Sequence, residues 1–354
     1  MNDKKTIRDL DQQQMTAWME EAGEKAFRGK QLHEWVHRKQ VSDFDEMTNM
    51  SKTLREQLGR EFVLDPLQVI EKQEAADGST AKFLFELTDG ERIESVWMRY
   101  KHGDSVCVSS QVGCRMGCSF CASTMDGLVR NLTPGEMLSQ VYDIEREMYP
   151  DGQGHINSII VMGMGEPFDN YENVLSFFRL LTDDKGRDMS ARHITVSTCG
   201  LPDGIRRLAN EGLPVTLALS LHAPNDEIRR SIMPIARRFP MDEVFKACAY
   251  YFEKTGRRIT FEYSMIRGVN DSPDAAEELA GRCRNLQKNG MPVHVNLIPL
   301  NEVKERGHAR AAKEDIDSFQ KILEKNRINV TIRREMGSEI DAACGQLRRR
   351  SQRR

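Results

Sequence analysis

"SVCVSSQVGCRMGCSFC", residues 105–121, runs from a strand-like alternation straight into three cysteines at C-x3-C-x2-C spacing: Cys114, Cys118 and Cys121. The pattern of a strand followed by a polar loop and a helix then repeats to the end of the chain. Strand-like segments are "SVCVSS" (105–110), "INSIIVMG" (156–163), "HITVST" (193–198), "VTLALSL" (215–221), "RITFEYSM" (258–265), "PVHVNLI" (292–298) and "INVTIRRE" (328–335). Helical segments lie between them, such as "TPGEMLSQVYDIEREM" (133–148), with Thr133 as N-cap and Pro134 in the first helical position. Alternating strands and helices predict a parallel sheet with right-handed crossovers, as an open doubly wound sheet or as a complete or partial barrel. In either architecture the chemistry gathers at the C-terminal ends of the strands.

Upstream the rhythm differs. Residues 1 to about 62 read as short amphipathic helices, one of them "SKTLREQL" (51–58), which begins at a serine. Residues 66–100 switch to strand-like alternation in "PLQVIEKQ", "AKFLFEL" and "RIESVWMRY", with tight turns expected at the Asp-Gly pairs 77–78 and 89–90. At a soft prior of roughly 150 residues per domain, 354 residues make one large or two ordinary domains. No apolar run approaches the ~20 residues of a membrane span, and the first thirty residues lack the apolar core of a secretory signal. The expectation is a soluble cytosolic protein with no membrane partner. There, eight cysteines point to metal or redox chemistry rather than to a disulfide framework. The net charge of −3 announces no nucleic-acid binder. The basic stretches "KAFRGKQLHEWVHRK" (25–39) and "LRRRSQRR" (347–354) permit an RNA partner, and equally fit a solvated helix face and a chain terminus.

Three thiols are one too few for a closed structural zinc site. Thiolate-only ligation suits an iron–sulfur cubane, in which three cysteines hold three irons and leave the fourth open to chelate a small molecule. A zinc completed by a distant Cys or His, or three buried free cysteines, is the bland alternative. Further loops share the same address at strand ends: "GMGEP" (163–167), "STCG" (197–200), "SLHAPN" (220–225) and "LIPLN" (297–301). Each alone is an ordinary strand-to-helix turn; together they can line one pocket.

The cysteine spacing, with Phe120 just before the last thiol, resembles the signature of the radical S-adenosylmethionine enzymes. "CVSSQVGCRMGCSFCAST", "RNLTPGEMLSQV", "MGMGEPFDNYENV", "ARHITVSTCG", "SLHAPNDEIRRSIMPI" and "IDAACGQLR" are together similar to the RlmN family of adenine-C2 methyltransferases, over nearly the whole chain. The resemblance implies a partial (βα)6 barrel over 104–335. It adds a small helical RNA-binding domain over 1–62, a β-hairpin extension over 63–103 and a C-terminal segment over 336–354. It implies a [4Fe-4S] cluster on Cys114, Cys118 and Cys121, two S-adenosylmethionines per turnover, 23S ribosomal RNA and transfer RNA as partners, and an electron donor such as flavodoxin or ferredoxin. By the same carry-over Gly165, Glu166, Ser197, Ser220, Leu221, His222 and Asn301 contact S-adenosylmethionine.

Carbon 2 of adenine lies between two ring nitrogens and is electron-poor, so a radical route is required. In the mechanism the resemblance implies, Cys344 carries the methyl group, Glu94 accepts the C2 proton, and Cys107 releases the product by forming a transient disulfide with Cys344. Read without the resemblance, Glu94 is an exposed strand residue, Cys344 a capping or buried cysteine and His222 a turn histidine, while Cys199, Cys248 and Cys283 are structural thiols. The rival within the same chemistry is a Cfr-type adenine-C8 methyltransferase, in which another cysteine tends to stand where this chain has Val112. A rival of another class is a non-catalytic, metal-containing RNA-binding protein.

Overall fold

The strands expected after residue 104 pair in chain order, because each is followed by a helix long enough to cross back over the sheet. The computed structural model describes residues 4–333 and 347–348. Among them the strands of the main sheet are β1 Leu67–Glu74, β2 Thr80–Leu87, β3 Arg92–Tyr100, β4 Gly103–Cys107, β5 Ile156–Val161, β6 Ile194–Thr198, β7 Thr216–Ser220, β8 Ile259–Met265, β9 Val293–Pro299 and β10 Asn329–Ile332. All belong to one 10-stranded sheet. From β4 to β10 every pairing is parallel, and β1, β2 and β3 extend the sheet as an antiparallel meander from β4. The turns at Gly78 and Gly90 fall where the Asp-Gly pairs predict them, both at positive φ. The architecture is the α/β class expected, and β1 and β10 are its unpaired edges among the described residues.

The register sorts side chains into two faces. Val106, Ile159, Val196, Leu217, Leu219, Phe261, Tyr263, Val295 and Leu297 point to one face and form the buried core under the crossover helices. The other face follows from the pairs Cys107↔Ile160, Ile160↔Thr195, Ser197↔Ala218, Ser220↔Glu262 and Glu262↔Asn296. It is unusually polar for a parallel sheet, whose strands ordinarily read as continuous apolar runs.

The crossovers are α4 Pro134–Met148, α5 Tyr171–Thr182, α6 Pro202–Ala209, α7 Asp226–Ile232, α8 Met241–Thr255, α9 Pro273–Lys288 and α10 Lys313–Lys325. Helix α4 starts with a reciprocal cap, Glu136 N–H to Thr133 Oγ1 at 3.2 Å and Thr133 N–H to Glu136 Oε2 at 2.9 Å. It is buried from Pro134 to Ile144, because the sheet covers one side and the N-terminal unit the other. That unit holds the helices α1 Gln12–Glu21, α2 Phe27–His33 and α3 Lys52–Glu61, the last capped by Ser51 as predicted. It has its own core of Ile7, Met15, Met19, Leu32, Val36, Leu54 and Leu58. Arg8, fully buried, pins it to α4: Nη1 donates to Ser139 Oγ at 2.8 Å and lies 3.4 Å from Asp143 Oδ1. Asp9 accepts the Gly135 N–H at 2.6 Å, an approach possible because a Cβ on Gly135 would lie 2.6 Å from Thr6 Cγ2. No helix among the described residues is long and apolar enough to cross a membrane.

Candidate active site

Beyond β4, the short strands Gln111–Gly113 and Leu128–Asn131 pair antiparallel and close the cysteine loop at its base, where Cys114 N–H donates to the Gly127 carbonyl at 2.8 Å. Inside the loop, Thr124 Oγ1 donates to the Cys118 and Cys121 carbonyls, each at 3.1 Å. From outside, the Arg306 guanidinium donates to the Cys121 carbonyl at 3.2 Å, and the loop's own Ser119 N–H donates outward to the Ile232 carbonyl at 2.8 Å. The loop is therefore tied within itself and to two distant parts of the chain.

Cys114 and Cys118 are buried and Cys121 half-buried, against Met116, Phe120, Ile232, Met233, Ile266 and Leu300. Burial pushes the Cys114 thiol up to about 12, opposed by the Met116 N–H and reinforced by neighbouring Glu166 and Cys121. Burial raises Cys118 further, with Cys121 and Cys114 next in effect. The three sulfurs thus lie within electrostatic reach of one another. Yet no three His, Cys, Asp or Glu side chains among the described residues gather as ligands of a single metal ion. Three thiols on one short loop, beside an apolar wall, fit a cluster that spreads its ligands over several irons; binding would displace their protons.

The "GMGEP" loop after β5 is packed against the strand before the cysteines. Gly165 has φ +109°, and a Cβ there would lie 2.7 Å from both Gln111 Cβ and Ser110 Oγ. Glu166 is 3% exposed, and its carboxylate accepts the Thr198 hydroxyl at 2.7 Å, Cys199 N–H at 2.7 Å and Phe168 N–H at 3.1 Å. Burial raises its pKa against those hydrogen bonds. The carboxylate thus joins the loops after β5 and β6.

At the ends of β6 and β7, Ser197 Oγ and Ser220 Oγ stand 3.1 Å apart on the polar face. His222 sits at φ +55°, a strained conformation for a non-glycine residue. Its Nδ1 accepts the Ser264 N–H at 3.0 Å, which leaves the proton on Nε2, and its carbonyl accepts Asn270 Nδ2 at 2.8 Å. Burial, with Arg229 nearby, lowers its pKa to about 3, so the ring is neutral. Phe120 from the cysteine loop meets its ring edge-on at 4.9 Å. The Leu221 side chain is buried in the core, so only its backbone can face a ligand; Asn301, beyond β9, is exposed.

Sequence reasoning missed Arg229. It is fully buried and donates to the carbonyls of Cys199 at 2.6 Å and Leu221 at 3.2 Å, tying two site loops together beside the Cys118 thiol. Cys199 is buried in the apolar cluster that holds Cys118, and burial, with Glu166 and Cys118 nearby, raises its thiol. Cys248 and Cys283 belong to the helical layer of the core.

Glu94 corrects the local reading. Instead of an exposed strand residue it is 2% exposed, because β3 is an interior strand. Its Oε2 meets Lys82 Nζ at 2.9 Å, and Lys82 is itself fully buried. The pairs Lys82↔Val96 and Val96↔Cys107 put Lys82, Glu94 and Cys107 on the same face, the polar one. Glu94 and Cys107 therefore share the face that carries Ser197 and Ser220. Cys344 lies outside the described residues.

Residues 6–64 match the family described as the ribosomal RNA large subunit methyltransferase N-terminal domain, and residues 108–280 match the radical SAM superfamily. A relative from Lachnoclostridium phytofermentans, named "Probable dual-specificity RNA methyltransferase RlmN", is 51% identical over 99% of this chain and 96% of its own. One of the same name from Symbiobacterium thermophilum is 52% identical over 97% of this chain and 91% of its own. The crystal structure of a radical SAM methyltransferase from Sphaerobacter thermophilus superposes with a TM-score of 0.91 at 45% identity, covering 97% of this chain and 98% of that one. With a three-thiol loop at the strand ends of an α/β sheet and identity of this depth along its whole length, the chain belongs to the RlmN family of radical S-adenosylmethionine methyltransferases.

Proposed function

We propose that this enzyme methylates carbon 2 of an adenosine in 23S ribosomal RNA and in transfer RNA, working in the cytoplasm with an electron donor such as flavodoxin or ferredoxin. What supports this reading is the shared polar face, on which Glu94 and Cys107 project from neighbouring strands, with the loop of Cys114, Cys118 and Cys121 following the second of those strands.

Cys114, Cys118 and Cys121 would hold the cluster, whose chemistry there would be the one-electron reductive cleavage of S-adenosylmethionine. Around that reagent, the Gly165–Glu166 and Leu221 backbones, the Ser197 and Ser220 hydroxyls and Asn301 bind and orient. Neutral His222 offers Nε2–H as a fixed donor, and the apolar wall at Ile232, Met233 and Leu300 excludes water. Cys344 takes a methyl group from one S-adenosylmethionine by displacement, as a good nucleophile does. Loss of a hydrogen atom from that methyl group consumes a second molecule and leaves Cys344 with a carbon-centred radical, which adds to C2. Glu94 accepts the C2 proton. Cys107 then attacks the Cys344 sulfur. The sulfur–carbon bond breaks, the carbon remains on adenine as the new methyl after taking a proton, and the unpaired electron left by the addition returns to the oxidised form of the electron donor. The resulting disulfide is reopened by exchange with an external thiol.

The test is mass spectrometry of nucleosides from unmodified 23S ribosomal RNA and transfer RNA after anaerobic incubation with reconstituted enzyme, S-adenosylmethionine and a reductant. The expected product is 2-methyladenosine. Appearance of 8-methyladenosine would move the reaction to the other carbon, and 5′-deoxyadenosine without any methyladenosine would refute the substrate.

A further inference from the structure

Leu347 and Arg348 are buried, at 0% and 3% exposure, far from the strand that precedes them in the chain. The Arg348 backbone N–H donates to Glu94 Oε1 at 2.5 Å, and its guanidinium Nη2 reaches Glu91 Oε2 at 3.2 Å. Glu94 Oε2 is held by Lys82 Nζ at 2.9 Å. Two acidic residues of the β2–β3 hairpin thus converge on one residue more than 250 positions later, through one backbone and one side-chain contact, and Lys82 steadies one of them. Hydrogen bonds to an ionised acceptor are the short, strong kind, and burial removes the competing water.

Arg348 follows Cys344 by 348 − 344 = 4 residues. Even fully extended, four residues span only about 14 Å. An anchor at Arg348 therefore limits how far Cys344 can stand from the β2–β3 hairpin, whose β3 strand pairs with the strand that carries Cys107. We propose that Glu91, Glu94 and Lys82 form a receptor for the C-terminal segment, and that Arg348 is a positioning residue whose anchorage holds Cys344 within reach of Cys107 and the substrate base. The inference rests on the reading of Cys344 and Cys107 as methyl carrier and resolving thiol. It gives Glu94 a second duty besides accepting a proton.

The test uses the full chain without its cluster, so that no turnover is needed. Two quantities are read: amide hydrogen exchange of the peptides spanning the last fifteen or so residues, and the rate at which a mild oxidant closes a Cys107–Cys344 disulfide. Arg348→Glu and Glu91→Arg are each expected to speed exchange and slow closure by about tenfold, the scale of one lost hydrogen bond to a charged group. The reciprocal pair, Glu91→Arg with Arg348→Glu, restores both, which a merely misfolded variant would not do. Single variants that leave exchange and closure unchanged overturn the anchor while the cysteine reading stands. Protection without any Cys107–Cys344 closure in the parent protein overturns the cysteine reading, and with it the positioning role.

Discussion

Lys82→Met is the perturbation whose size follows most directly from the structure. Lys82 is fully buried, Glu94 is 2% exposed, and their charged atoms are 2.9 Å apart. Removing one partner of such a pair leaves an uncompensated buried charge and costs about 3–5 kcal/mol, whereas replacing both with apolar groups is often near neutral. Glu94→Leu should cost at least as much as Lys82→Met, since it also orphans the Arg348 N–H, worth about 1–3 kcal/mol more. The double variant Lys82→Met with Glu94→Leu retains only that last cost, so it is expected to be more stable than either single. The non-additivity should reach at least about 2 kcal/mol. Urea unfolding of the cluster-free protein, followed by far-ultraviolet circular dichroism, reads this as the shift in midpoint at constant slope. Single effects that sum to the double within about 0.5 kcal/mol, as they do for independent sites, would refute the claim that the pair is coupled and desolvated.

Four further outcomes follow from the site. Cys114→Ala, Cys118→Ala and Cys121→Ala should each abolish iron binding after reconstitution, while Cys107→Ala and Cys344→Ala keep it; iron loss in Cys344→Ala would make that residue a ligand and remove it as methyl carrier. Cys107→Ala should accumulate a protein–RNA conjugate that survives denaturing electrophoresis, because the adduct lacks its resolving thiol, and a free methylated product at the normal rate would dismiss that role. Gly165→Ala forces a Cβ to 2.7 Å from Gln111 Cβ and Ser110 Oγ at φ +109°, so calorimetry should show S-adenosylmethionine affinity falling at least about tenfold with iron content unchanged. His37, fully buried, is held at about 3 chiefly by burial and next by His33. The unfolded chain binds its proton near 6.5 and the folded chain does not, so stability falls as pH drops through 6.5 toward 3. His37→Gln should therefore lose less of its melting temperature than the parent between pH 7.5 and 5.5.

The strand order and the cysteine loop were legible because they are local. Strands and helices take turns along the chain, helix α4 carries its own cap, and the three thiols lie within eight consecutive residues. Glu94 was misread for the converse reason. In "RIESVW" it looks like the outward position of an edge strand, and what buries it is a pairing with β2 and β4 that no local pattern states. A signal was nonetheless present in "TAKFLFEL", where a lone lysine interrupts an apolar run whose neighbours Ala81, Phe83, Leu84 and Phe85 are all fully buried. A cation in such company needs a buried anion, and the sequence does not say which. Arg229 was hidden in the same way: "EIRR" reads as a charged helix face, yet Arg229 points inward to two carbonyls while Arg230 is exposed.

Burial of charge separates structure from chemistry here only when it is joined to the side on which the charge lies. Arg8 with Asp143 is as buried as Lys82 with Glu94, but it sits in the helical layer and fastens the N-terminal unit to α4. Lys82, Glu94 and Glu262 all project to the polar face, and Glu166 and Arg229 cross-link the loops at the strand ends. Apolar residues of similar volume would serve stability at these positions about as well, since desolvation offsets most of what a buried pair gains. What apolar residues could not do is hold several loops in one arrangement through directional bonds while keeping a carboxylate beside Cys107. The charges on that face are therefore better explained by the reaction than by the fold, and the coupled loss of Lys82 and Glu94 should preserve the protein while abolishing proton acceptance at C2.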